Sequence, residues 1–191
     1  MIKRDSLMSL ETYARERNAF RAKVMEHKKH RTVHLGEHVT LQFEDELTIR
    51  YQVQEMLRIE RIFEEEGIEG ELSVYNPLVP DGSNWKATLL IEYPDADERR
   101  RMLGVLKGIE RRVWAQVEGC ERVNAIADED LERETDEKTS SVHFLRFELT
   151  PPMRERLRGG AGITVGVDHA QYRAQAQLGP QTRAALAADL A

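Results

Sequence analysis

The chain has 191 residues, of which 40% are hydrophobic and 32% charged, with a net charge of −6 and one cysteine, Cys120. That composition is enough for one domain with a core, and the negative mean hydropathy and absence of a long apolar run exclude a transmembrane helix. A lone cysteine excludes an internal disulfide and a cysteine-based zinc site, and a basic N-terminus without an apolar core segment is no secretory signal, so a cytoplasmic location is expected.

Ser9 is placed to cap a helix that runs to about Lys29, as one helix or as two broken near Asn18. His30 to Phe43 alternates apolar and polar residues around Gly36-Glu37, the pattern of a hairpin. Thr48 to Glu66 has helical periodicity and stops at Gly67. After a short segment at Glu69 to Tyr75 comes a stiff loop, Asn76 to Asn84, with two prolines and an Asp-Gly turn. Lys86 to Tyr93 reads as a strand, and Asp95 or Asp97 caps the helix that follows, to about Lys107. Arg112–Glu118 and Arg122–Ala127 flank a Gly119-Cys120 turn as a second hairpin, and the acidic stretch 128–137 reads as helix. Ser141 to Leu149 is a strand, Thr150-Pro151 opens a helix that ends at Gly159-Gly160, and Ile163 to Val167 is the last strand.

Helices and strands mix without a βαβ rhythm. The fold class expected is α+β, a largely antiparallel sheet of about six or seven strands with helices packed on one face. Residues 1–172 form one domain in this reading, and the Ala/Gln-rich residues 173–191 a mobile tail or an intersubunit arm, with room for a short helix after Pro180.

Charge is uneven. Residues 1–34 carry nine Lys/Arg against four Asp/Glu, and residues 44–71 ten Asp/Glu against three Arg. The basic residues of the N-terminal helix alternate with glutamates and have no interleaved aromatics, so they read as a salt-bridged, solvated face and not as a nucleic-acid surface. The acidic runs Glu64–Glu66 with Glu69 and Glu71, and Asp128–Glu137, are candidate contact faces.

Glu60 stands out. On a wheel at about 100° per residue, Ile49, Val53, Met56, Leu57, Ile59 and Phe63 form one apolar stripe, and Glu60 falls near its middle. A carboxylate facing a core needs a cationic or hydrogen-bonding partner, or gives up its charge. It is therefore either a structural ion pair or a tuned acid or metal ligand. His143 and His169 each end an apolar strand face. If those strands are antiparallel neighbours, His143, Asp168, His169 and Glu60 form an oxygen–nitrogen site of the kind iron, manganese or zinc accept. The cluster His27, His30, His34 and His38 lies among Lys28, Lys29 and Arg31, whose charge opposes cation binding. Asp81, Ser83, Asn84 and Lys86, on the rigid loop and the strand it leads into, are the candidates for contacting a small polar ligand. Gly159-Gly160-Ala161-Gly162 lacks any phosphate-loop pattern. Cys120 has acidic neighbours and is a poor nucleophile.

The run FEDELTIRYQVQEMLRIERIFEEEGIEGELSVYNPLVPDGSNWKATLLIEY, with RVWAQVEG, AIADEDLERE and EKTSSVHFLRFELT, resembles the bacterial family known as domain of unknown function 3501 over residues 5–172. The family has no established activity, so it implies no catalytic residues. Its members often lie beside genes for rubrerythrin and an iron–sulfur oxidoreductase subunit. The resemblance therefore implies an accessory or interaction protein in an iron-dependent redox or peroxide-defence system, with one of those proteins as partner. A metal-dependent enzyme or metal carrier, and a small-ligand binder, are the alternatives. No membrane partner is expected, and self-association stays open.

Overall fold

The computed structural model describes all 191 residues. It divides into two compact units, residues 1–30 with 44–80, and residues 31–43 with 81–191. No helix is long and apolar enough to cross a membrane.

The first unit is helical. Helix α1 (Leu10–Lys28) is continuous, and the Ser9 side chain accepts from the Thr12 amide at its start, so no break occurs near Asn18. Helix α2 (Glu46–Glu60) opens with a capping box between Asp45 and Thr48. It ends at Arg61, which adopts the left-handed conformation, φ 55°. Helix α3 (Glu65–Tyr75) contains Gly67 and the segment 69–75, so the expected helix over 48–66 is two helices with the junction six residues earlier than Gly67. Ile49, Val53 and Leu57 of α2 pack with Ile68 and Leu72 of α3 and with Ile2 and Leu7. The opposite side of α2 is covered as well. Tyr51 meets Phe20 of α1 with ring centroids 6.0 Å apart, and Phe20 meets Tyr13 edge-on at 6.2 Å.

The second unit holds two antiparallel sheets in place of the single one expected. The first has the strand order β1-β2-β3-β7-β6 and the second β5-β4-β8-β9. Their residues are β1 (Thr32–Leu35), β2 (Val39–Glu44), β3 (Asn84–Ile91), β4 (Val113–Val117), β5 (Arg122–Asn124), β6 (Ile126–Ala127), β7 (Val142–Glu148), β8 (Ile163–His169) and β9 (Tyr172–Gln177). Alternation sets the inner faces. Trp85, Ala87, Leu89 and Ile91 on β3 face inward, with Phe147, Leu145 and His143 as register partners of the first three on β7. Val113, Ala115 and Val117 on β4 stand opposite Val167, Val165 and Ile163 on β8. Both faces contribute to one core.

The chain changes sheets at Ala125. Arg122–Asn124 pairs with β4, whereas Ile126–Ala127 pairs with β7. A stretch that reads as one strand therefore serves two sheets. Helix α4 (Ala96–Val105) is capped by Asp95, as expected, and α5 (Pro151–Arg158) begins at Pro151.

Two expectations fail here. The acidic stretch 128–137 is not helical: it is an irregular loop with one isolated bridge, Glu134 to Thr139. It begins at Asp128, whose φ of 52° no helix admits. Residues 173–191 are not a tail. They form most of β9 and helix α6 (Pro180–Ala188). Leu186 is fully buried, its carbonyl accepts the Trp85 indole N–H at 2.9 Å, and Asp189 makes a two-pronged pair with Arg31 at 2.7 and 2.9 Å.

Candidate functional site

Glu60 does not face a core. It is exposed at the last residue of α2, and Ile59 and Phe63 beside it are 54% and 69% exposed. The wheel angle was sound, but the packed length of the stripe ends at Leu57, one turn earlier. The engaged carboxylate of this helix is Glu55, which the wheel sends away from the stripe and which α1 covers. It accepts two bonds from Arg17, at 2.7 and 2.9 Å, and one from the Tyr13 hydroxyl at 2.6 Å. The Arg17 guanidinium holds the Glu55 carboxyl down at about 2, and burial pushes the Tyr13 hydroxyl up.

Nor do His143, Asp168 and His169 form one cluster. Strands β7 and β8 lie in different sheets. The His143 ring is fully buried, with Nδ1 2.5 Å from Asp128 Oδ2 and Nε2 2.9 Å from Thr139 Oγ1 and 3.1 Å from the Ser140 carbonyl. Both nitrogens are committed, which leaves no lone pair for a metal. His169 is equally committed. Its Nε2 donates to the Lys107 carbonyl at 3.0 Å, and its Nδ1 accepts from the Gln171 amide at 3.2 Å. Asp168 is exposed and paired with Arg122 at 3.0 Å. No group of three or more His, Cys, Asp or Glu side chains is placed to hold a metal ion.

The order Thr139–His143–Asp128 has the connectivity of a nucleophile, base and orienting acid. Its hydroxyl, however, belongs to a residue only 1% exposed. Unlike its partner Asp128, Thr139 lines neither of the pockets beside residues 107–112, so no substrate reaches the hydroxyl and this chain of bonds serves structure. It ties the loop after Asp128 to β7, helped by the Phe144 amide donating to Asp128 Oδ1 at 3.1 Å.

The residues proposed for ligand contact on the 81–86 segment mostly satisfy one another. Asp81 accepts from the Ser83 amide and hydroxyl at 2.9 and 2.8 Å, which keeps its carboxyl below the usual range. The Ser83 hydroxyl also lies 2.7 Å from Glu148, and buried Asn84 meets the same carboxylate at 3.5 Å. Lys86 is half-buried, which lowers its pKa. The Ala191 amide donates to the Gly82 carbonyl at 2.9 Å, so the last residue seats against this turn. This is turn chemistry plus a cross-strand ion network with Arg146 and Glu129.

What the second unit offers instead is a pair of adjoining pockets around residues 107–112. The larger has a volume of about 570 Å³ and is lined by Lys107, Gly108, Arg111, Arg112, Asp168, His169, Ala170 and Arg173. Four of these side chains are cationic. Its one carboxylate, Asp168, is taken by Arg122, whose guanidinium also lies 3.6 Å from the centre of the Trp114 ring. Gly108, with φ 78°, turns the chain from α4 into the short 3-10 turn Ile109–Arg112 and so presents Arg111 and Arg112 to solvent. The turn between β8 and β9 supplies the other wall. The smaller pocket, about 280 Å³, is lined by Glu110, Arg111 and residues 127–134. In it Arg133 pairs with Asp128 and Asp130, which holds Asp130 below the usual carboxylate range.

The sequence points to Asp168 and His169 as metal ligands, and both line the larger pocket. It missed Lys107, Arg111, Arg112 and Arg173. A signal was present in the run Lys107-Gly108-Ile109-Glu110-Arg111-Arg112. The register that brings the β8–β9 turn beside it was not.

Fold and pockets define an α+β protein with a helical unit and a two-sheet unit that carries a cationic cleft. The chain belongs to the family described as "Protein of unknown function (DUF3501)", whose model matches residues 1–190. It is similar to a solved structure titled a novel protein of unknown function from Burkholderia pseudomallei K96243. The two are 54% identical over 100% of this chain and 99% of the other, with a TM-score of 0.95. No curated protein matches it.

Proposed function

We propose that this protein is an accessory binding protein that recognises an anionic group in the cleft around Arg112 and Arg173. The observation that carries the reading is the charge of that cleft: Lys107, Arg111, Arg112 and Arg173 line one cavity whose lone carboxylate is already paired. Like charges brought together repel. Two of the four have only modest partners: Lys107 donates to the Asp136 carbonyl at 2.9 Å, and Arg111 lies 3.2 Å from Glu110. Arg112 and Arg173 are exposed and unpaired. A bound phosphate or carboxylate relieves that repulsion, and guanidinium groups suit its geometry.

The same cluster disfavours a metal cation beside His169. The iron-linked redox or peroxide-defence setting, with a rubrerythrin or an iron–sulfur oxidoreductase subunit as partner, rests on the family resemblance alone. In that setting the cleft is the recognition element for an anionic ligand or an acidic surface.

Calorimetric titration of the full chain with inorganic phosphate tests the reading. The expected result is saturable binding with a dissociation constant of about 1 mM or tighter. Binding should weaken as salt rises, and by about tenfold or more in the Arg112→Ala/Arg173→Ala variant. Absence of binding, or equal binding by that variant, overturns it.

A further inference from the structure

Resting on the cationic cleft just described, a second feature specifies its ligand further. Arg111 lines both pockets, and the Gly108 amide of the cationic one donates to Glu134 of the smaller one at 2.7 Å, so the two adjoin. Their charges are opposite. The smaller pocket is lined by six carboxylates against two guanidinium groups. Most of these acids are engaged by Arg133, by Arg146 or by the Gly108 amide.

Glu110 is different. It is 2% exposed, its Oε1 lies 3.2 Å from Arg111, and its Oε2 is buried with no hydrogen-bond partner. A buried carboxylate oxygen without a donor carries a desolvation cost that a donor would offset. Glu132 in the same pocket is exposed and also uncommitted.

We propose that the two pockets form one bipolar site, which takes a ligand bearing an anionic group at one end and an ammonium group at the other. The anion sits among Arg111, Arg112 and Arg173, and the ammonium donates to Glu110 and Glu132. The chemical class is an aminoalkyl phosphate or a comparable amino acid derivative. A doubly anionic ligand of the same length would meet the carboxylates and be rejected.

The test compares, on the wild-type chain, inorganic phosphate, simple alkyl phosphates, and ω-aminoalkyl phosphates from ethyl to hexyl, by calorimetry at one salt concentration. One chain length is expected to gain about tenfold or more in affinity from its amine. That gain should disappear in Glu110→Gln, which still binds phosphate, and shrink in Glu132→Gln. Because Glu110 is buried, the melting curve of Glu110→Gln is recorded alongside, and Glu132→Gln with the wild-type ligand comparison keeps the test independent of it. If phosphate binds but the amine adds nothing at any length, the bipolar site is refuted and the cationic cleft stands. If no phosphate compound binds, both fall.

Discussion

Replacing Glu55 by Gln removes the charge that joins α1 to α2, and its cost can be worked from the structure. The carboxyl falls from 4.5 to about 2 in the folded chain, chiefly because Arg17 donates to it twice. At ~1.36 kcal/mol per tenfold change in the dissociation constant, that fall amounts to about 3 kcal/mol for a fully buried group. The Glu55 and Arg17 side chains are 13% and 31% exposed, so screening brings this to about 1–2 kcal/mol. The sign follows from the direction of the shift. A folded-state value below the unfolded one stabilises fully above about pH 4.5, and that contribution is lost as pH falls towards about 2. Urea unfolding by far-UV circular dichroism, with amide exchange at Val24 and Val53 to isolate the helical unit, should show wild type losing this increment across that window. Glu55→Gln should start about 1–2 kcal/mol lower at neutral pH and converge with wild type below pH 2. Parallel curves for the two proteins through the window would refute the assignment of Glu55 as the inward acid of this unit.

Three further outcomes are expected. Leu186→Ala should cost about 3 kcal/mol in chemical denaturation, because a fully buried leucine of α6 is replaced by a cavity; a change under ~0.5 kcal/mol would mean that α6 is peripheral after all. Asp189→Asn should lower stability by about 2 kcal/mol, since it removes the charge from a two-pronged pair whose side chains, Arg31 and Asp189, are 5% and 10% exposed. Gly166→Ala places a Cβ 2.3 Å from the Trp114 ring, so near-ultraviolet circular dichroism should show a displaced tryptophan and the melting temperature should fall by several degrees.

The strands with clean alternation were legible from the chain alone. Lys86–Tyr93, Ser141–Leu149 and the 30–43 hairpin carry period-two patterns, and the caps at Ser9 and Asp95 are local hydrogen-bond chemistry that sequence states directly. What failed was long-range. Arg122–Ala127 alternates like one strand, but its two halves pair with partners in different sheets. Residues 173–177 alternate alanine with arginine and glutamine, and so do not reach the hydrophobicity expected of a strand. Alanine suffices there because β8 supplies Val165 and Val167 opposite Ala176 and Ala174.

The candidate site illustrates the same limit. His143 was correctly placed on the inner face of its strand, and its actual partner, Asp128, lies in a run that reads as an acidic helix. The helical reading fails because Asp128 takes a left-handed conformation and its carboxylate accepts from the Phe144 amide. The mistake at Glu60 has another origin. A helical wheel gives azimuth but not how far along the axis a neighbour extends. At Leu57 the neighbours end, and the acid that matters on that helix is held by α1 on the side the wheel gives to solvent.

Phosphate binding in the cleft between residues 107–112 and the β8–β9 turn is the claim on which the functional account turns. Amide chemical shifts of the isotope-labelled chain during a phosphate titration test it most directly. The account predicts that Gly108, Arg112, His169 and Arg173 move together and saturate with one dissociation constant. Shifts that never saturate, or that scatter over arginines and lysines elsewhere on the surface, would contradict it.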